Sequence, residues 1–136
     1  MSAHITRVNP PALHQTPGYH HITVVAAGRT AYLAGQCPLD AEGRIVGRGD
    51  YAAQARQVAA NALTALEAVG AGPGDVVRSV IYVVSDDRET LSTVWDALNA
   101  SPLGGAFDTA STLLGVAQLG FTAQLVELDL TAALAG

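Results

Sequence analysis

Four places in this 136-residue chain carry side chains able to do chemistry: His20-His21, Cys37, the glycine-rich GAGPGD at residues 70–75, and Glu127 within LVELDL. The histidine pair suggests a metal, but adjacent strand residues point to opposite faces, so the two rings do not converge on one ion. No other His or Cys cluster completes a tetrahedral set, and a metal site is not expected. One of the pair facing a cleft would still serve as an acid or base. Cys37 follows an AGQ segment, with no neighbouring cation or helix N-terminus to depress its pKa. It reads as a small buried residue, with a nucleophile paired to His20 or His21 as the alternative. GAGPGD lies after a helix and before a strand, the reverse of a phosphate loop, and reads as a helix stop and turn. Alternation puts Leu125, Glu127 and Asp129 on one face and Val126, Leu128 and Leu130 on the other. The second face is core. Glu127 is either solvated or, against a cleft, a carboxylate whose pKa burial would raise towards proton-transfer duty.

These groups need a scaffold, and the pattern supplies one. Residues 1–18 hold Pro10, Pro11, Pro17 and Gly18 and form an extended lead-in, with at most a short strand at Ile5–Val8. Residues 19–26 and 30–34 are β-type runs around Ala27-Gly28-Arg29, a hairpin signal, and residues 44–46 are placed to pair back. Asp50 caps a helix over residues 51–69, with Val58, Ala62, Leu66 and Val69 as its buried stripe. Beside it runs a polar stripe of Gln54, Gln57, Asn61 and Thr64, and Gly70 ends the helix. Residues 76–84 (VVRSVIYVV) read as a central strand. Asp86 and Glu89 suggest a capping box for a second helix facing inward through Leu91, Val94, Trp95 and Leu98. A loop over residues 99–106 follows, and residues 106–130 read as two strands joined by a short turn. The expectation is a single α+β domain over 1–136, a mixed β-sheet with two helices on one face. The other sheet face then needs a cover, and a partner subunit is the natural one.

Composition narrows the function. Charged residues are 14% and hydrophobic residues 49% of the chain, which points to self-association, since monomers seldom expose large apolar patches. All seven basic residues are arginine. Without lysine there is no Schiff base, hence no ordinary pyridoxal-phosphate chemistry, and no P-loop lysine. A net charge of −5 argues against a nucleic-acid partner. Cys37 alone makes no disulfide framework. No apolar leader and no membrane span are evident, so the expectation is a cytoplasmic protein without a membrane partner.

Several segments in order resemble the RidA/YjgF family of reactive-intermediate deaminases: GYHH, AGQCPLD at residues 34–40, QARQVAANALTALEAVG, DVVRSVIYVVSD and STLLGVAQLG with LVELDLTA. The resemblance covers residues 19–132. It implies a chorismate-mutase-like fold, a homotrimer with helices outside, and ligand clefts between subunits. It further implies hydrolysis of enamines and imines such as 2-aminoacrylate and 2-iminopropanoate, with no metal or organic cofactor. Tyr19 matches the family's cleft tyrosine, and Gly35 the glycine of its SGQ motif, here preceded by Ala34. Glu127 matches the carboxylate of the last strand that positions a water, making it the catalytic candidate. Ser111 matches the residue after the arginine of the family's PARS motif.

The departure is that arginine. Where deaminases of the family read Pro-Ala-Arg-Ser, this chain reads Asp108-Thr109-Ala110-Ser111, and no arginine follows Arg88. The family's helix asparagine is absent too, with Val94 or Trp95 near its place. A bidentate carboxylate clamp is therefore missing, at a cost of about 1.5–3 kcal/mol in binding. Asp108 to Thr112, with Glu127, are expected to form a small, hydroxyl-rich, acidic wall, with Ala110, Ser111 and Thr112 as ligand contacts. The functional expectation is a trimeric small-metabolite-binding protein that is not an efficient 2-imino acid deaminase. The alternatives are a hydrolase acting on a neutral or cationic imine through Glu127, and a non-catalytic regulatory module. Nucleic-acid cleavage, also attributed to the family, is least favoured.

Overall fold

The structure is a computed structural model and describes residues 4–135. Helix α1 (Tyr51–Ala68) begins where Asp50 accepts a hydrogen bond from the Ala53 amide, satisfying one of the amides a helix start leaves unpaired. It stops before Gly70, whose φ of 74° suits glycine. Helix α2 (Arg88–Asn99) is capped by Asp87, not by Asp86 as the sequence suggested. Ser85 Oγ accepts from the Asp87 amide, which turns the chain one residue further before the extended cap residue meets the Glu89 amide.

Strand β4 (Val76–Val84) is central, as its β-branched run predicts. On one side β6 (Val126–Ala133) pairs with it antiparallel. On the other, β5 (Ala110–Val116) pairs parallel, with α2 as the crossover. Strand β3 (Thr30–Tyr32) joins β6, giving the order β3-β6-β4-β5. The two expected hairpins are not formed. β5 and β6 flank β4 instead of pairing with each other, because β4 takes a partner on each edge and the connection crosses its end, where the Val84 amide donates to Leu125. Strand β2 (Ile22–Val25) is shorter than expected and pairs with β1 (Ile5–Val8), so the Ala27-Gly28-Arg29 turn hands the chain from one sheet to another. That ribbon sits where β4 and β5 begin. Arg7 donates to the Gly74 and Val76 carbonyls at 3.1 and 3.2 Å, and Thr23 accepts from the Ala110 amide at 3.1 Å. The short pairing near Arg44 is a bridge between Leu39 and Ile45, and the expected loop after α2 contains a 3-10 turn at Gly104–Phe107.

Both helices lie on one sheet face. Val58, Ala62 and Leu66 of α1 and Val94 and Leu98 of α2 bury against Ile81, Val83, Val126, Leu128 and Leu130, a two-layer α+β arrangement as expected. The alternate residues form an uncovered face: Arg78, Val80 and Tyr82 on β4, Ala110, Thr112 and Leu114 on β5, Glu127, Asp129 and Thr131 on β6. Tyr32, in register with Thr131, is 82% exposed. Among the described residues no helix is long and apolar enough to cross a membrane.

Candidate functional site

The polar stripe of α1 is the positioning device. Asn61 Nδ2 donates to the carbonyls of Cys37 and Leu39, both at 2.9 Å. Those bonds hold the segment after β3, which also exchanges amide bonds between Gln36 and Leu128. Gln54 is fully buried. Its Nε2 donates to Gly47 and Ala123, and its Oε1 accepts from the Leu125 amide at 2.7 Å. One helix thus fixes the segment that carries Gly35 and the segment that leads into Glu127.

Glu127 is half-buried and held. Its Oε1 accepts from Gln124 Nε2 at 3.1 Å and from Cys37 Sγ at 3.4 Å. Oε2 lies over Gly35, where a Cβ would overlap it, so a larger residue at 35 would displace the carboxylate from this position. Burial, then the negative charge of Glu127 and the hydrogen bond to it, push the Cys37 thiol up to about 11. Cys37 is half-buried and its contacts are Gly35 and Glu127, not His20 or His21. That environment keeps it a thiol at neutral pH, the opposite of an activated nucleophile. Gln124 is the residue at this end that sequence reasoning missed; a lone glutamine in a turn carries no signal of its own.

The second group of candidates gathers at the other end of the sheet. The histidine pair precedes β2 and lies outside it. His20 Nδ1 reaches the carbonyl and a carboxylate oxygen of Asp108, each at 3.0 Å, while His21 Nε2 meets the His14 carbonyl at 2.9 Å. Tyr19 and Ser111 share a cleft of about 250 Å³ with Pro17, Ser92, Trp95, Asp96 and Leu113. On α2, Trp95 and Ser92 face this cleft, whereas Val94 is fully buried.

Ala110 and Thr112 do not share that wall with Ser111. Strand alternation turns Ser111 towards the helix layer, where its hydroxyl meets Ser79 and the Phe107 carbonyl. Thr109 is fully buried and donates to the Val77 carbonyl at 3.0 Å. The expected wall of five consecutive residues is therefore split between two faces, a correction imposed by the two-residue period of a strand. On the open face, Ala110 lies in register with Arg78 of β4, and Arg78 Nη2 donates to Thr112 Oγ1 at 2.9 Å.

The two groups are apart within one chain. Glu127 lies opposite Tyr82, and Ala110 opposite Arg78. Four residues along a strand span about 13 Å. Gly35, Cys37, Gln124 and Glu127 form one half; Tyr19, Ala110, Ser111 and Thr112 belong to the other end.

Comparison with known proteins agrees with this architecture. The family model described as Endoribonuclease L-PSP matches residues 11–134. A crystal structure of a Rid-family protein of unknown function from Yersinia pestis is 33% identical, covering 96% of this chain and 99% of that one, at a TM-score of 0.86. RidA from an Antarctic Psychrobacter is 27% identical over 93% of this chain and 94% of its own, at a TM-score of 0.62. A RutC family protein of Pyrococcus horikoshii is 36% identical over 59 residues, 43% of this chain, and the match spans about half, 47%, of that relative. With the fold, the uncovered sheet face and this coverage in agreement, the chain belongs to the Rid/YjgF family.

Proposed function

We propose that this protein binds a small metabolite in a cleft formed between the copies of a homotrimer, and that it is not an efficient 2-imino acid deaminase. The 13 Å or so between the two half-sites, four residues of strand rise, supports the composite cleft: a second copy laid on the open face can bring the Glu127 half of one chain to the Ala110 half of another. The open face and the 14% charged content support association. Ala110 supports weak deamination, because it has no donor for a substrate carboxylate.

Ammonia release from freshly generated 2-iminopropanoate tests it. The wild type is expected to be slow and Ala110→Arg faster by roughly 10- to 150-fold, the equivalent of one charge-assisted contact. A wild-type rate equal to that of an arginine-bearing family member overturns the reading. Sedimentation should give about three times the 13.9 kDa chain mass.

A second reading keeps water activation at Glu127, favoured by the way Gln124 and Cys37 occupy one oxygen and leave the carboxylate fixed over Gly35. If Glu127→Gln leaves every detectable turnover unchanged, that role is lost.

A further inference from the structure

We propose that Arg78 anchors an anionic ligand, a small carboxylate, on the open sheet face beside Ala110; the inference rests on the inter-subunit cleft just proposed. Arg78 is exposed near the start of β4, an interior strand of the sheet. Its register partners are Ala110 on one side and Thr131 on the other, neither of them an acid, and Asp129 is its diagonal neighbour on β6. Among the described residues no carboxylate lies within ion-pair distance of it. The hydrogen bond to Thr112 uses one of the five donors of the guanidinium and steadies it without neutralising it. Ala110 leaves the space beside it open.

Covering this face with a second copy takes that cation out of bulk water. An arginine buried without an acid is costly, whereas one meeting a planar carboxylate gains two parallel charge-assisted bonds. The hydroxyl of Thr112 adds a donor or acceptor at the same spot. Anchoring on β4 instead of β5 shifts the acid by about one strand spacing, ~4.8 Å. A 2-imino acid held there is displaced from where an arginine at 110 would hold it, which fits binding without efficient deamination.

The test titrates propanoate and its neutral isostere propanamide into the full-length protein by NMR, with sedimentation in parallel. Propanoate should bind at least tenfold more tightly than propanamide. Arg78→Gln should erase that preference and Arg78→Lys restore part of it, since lysine keeps the charge without the fork. Wild-type propanoate affinity in Arg78→Gln overturns the anchor while leaving the cleft reading standing. So does equal binding of the two probes. Dissociation of Arg78→Gln into monomers that propanoate does not prevent means Arg78 pairs with the second copy, which also overturns it. Failure of either probe to bind a wild type that sediments as a monomer sinks both readings. A monomer that still shows Arg78-dependent propanoate binding sinks only the inter-subunit cleft.

Discussion

At the Glu127 end, a carboxylate accepts bonds from Gln124 and Cys37 and lies against a glycine with no room for a methyl group. At the Ala110 end, a small side chain lies beside an exposed arginine steadied by one hydroxyl. The first region is fixed by backbone segments that α1 pins through Gln54 and Asn61. The second is a strand edge with space around it. The difference teaches where the constraint lies: the acid belongs to a network in which each member constrains the next, while Ala110 lies beside one exposed side chain steadied by a single hydroxyl.

The largest effect should come from breaking the pinned end. Gln54→Leu keeps the volume but leaves the Leu125 amide and the Gly47 and Ala123 carbonyls without their side-chain partner. At about 1 kcal/mol for each, the loss should approach ~3 kcal/mol, read as a fall in the urea midpoint; a loss under ~1 kcal/mol would contradict the pinning role.

Gly35→Ala should cost less stability and reveal more chemistry. The new methyl must push away the flexible end of Glu127, sacrificing the contacts with Gln124 and Cys37, about 1–2 kcal/mol together. The Cys37 thiol should then titrate below about 11, where it stands in the wild type.

Alkylation of Cys37 by iodoacetamide gives the wild-type reference. Its folded pKa lies above the ordinary 9.0, so the fold favours the protonated thiol. The associated stability is fully present below pH 9.0 and is lost as pH rises through about 11. The alkylation rate should keep climbing to that pH, and Glu127→Gln should move the rise downward; a wild-type plateau near pH 9 would refute the burial and charge assigned to this end.

The smallest stability effect belongs to the open end. Ala110→Arg sets a second guanidinium opposite Arg78 and should lower stability by no more than about 1 kcal/mol while altering ammonia release. A large destabilisation would mean that the face is already tightly filled.

Much of this molecule was legible in its residues. Asp50 and Gly70 bound α1 because capping and helix termination are local events. The β-branched run at Val76–Val84 marked the central strand, and alternation placed Glu127 and Leu128 on opposite faces. The polar stripe of Gln54, Gln57 and Asn61 was visible too, though not its task of holding two distant segments. The cap falls on Asp87 and not on Asp86 because a cap differs from its neighbour by backbone conformation, here set by Ser85.

By itself the sequence determined the strands and helices, the acidic and lysine-free character, and the absence of arginine at position 110, since each depends on residue type or short-range period. Only the tertiary structure decided which strands pair. Strand pairing joins residues distant in the chain, and its register brings Arg78 beside Ala110, turns Ser111 away from both, and places Glu127 over Gly35. A two-residue period fixes which face a side chain takes; its neighbour on that face is fixed by the fold.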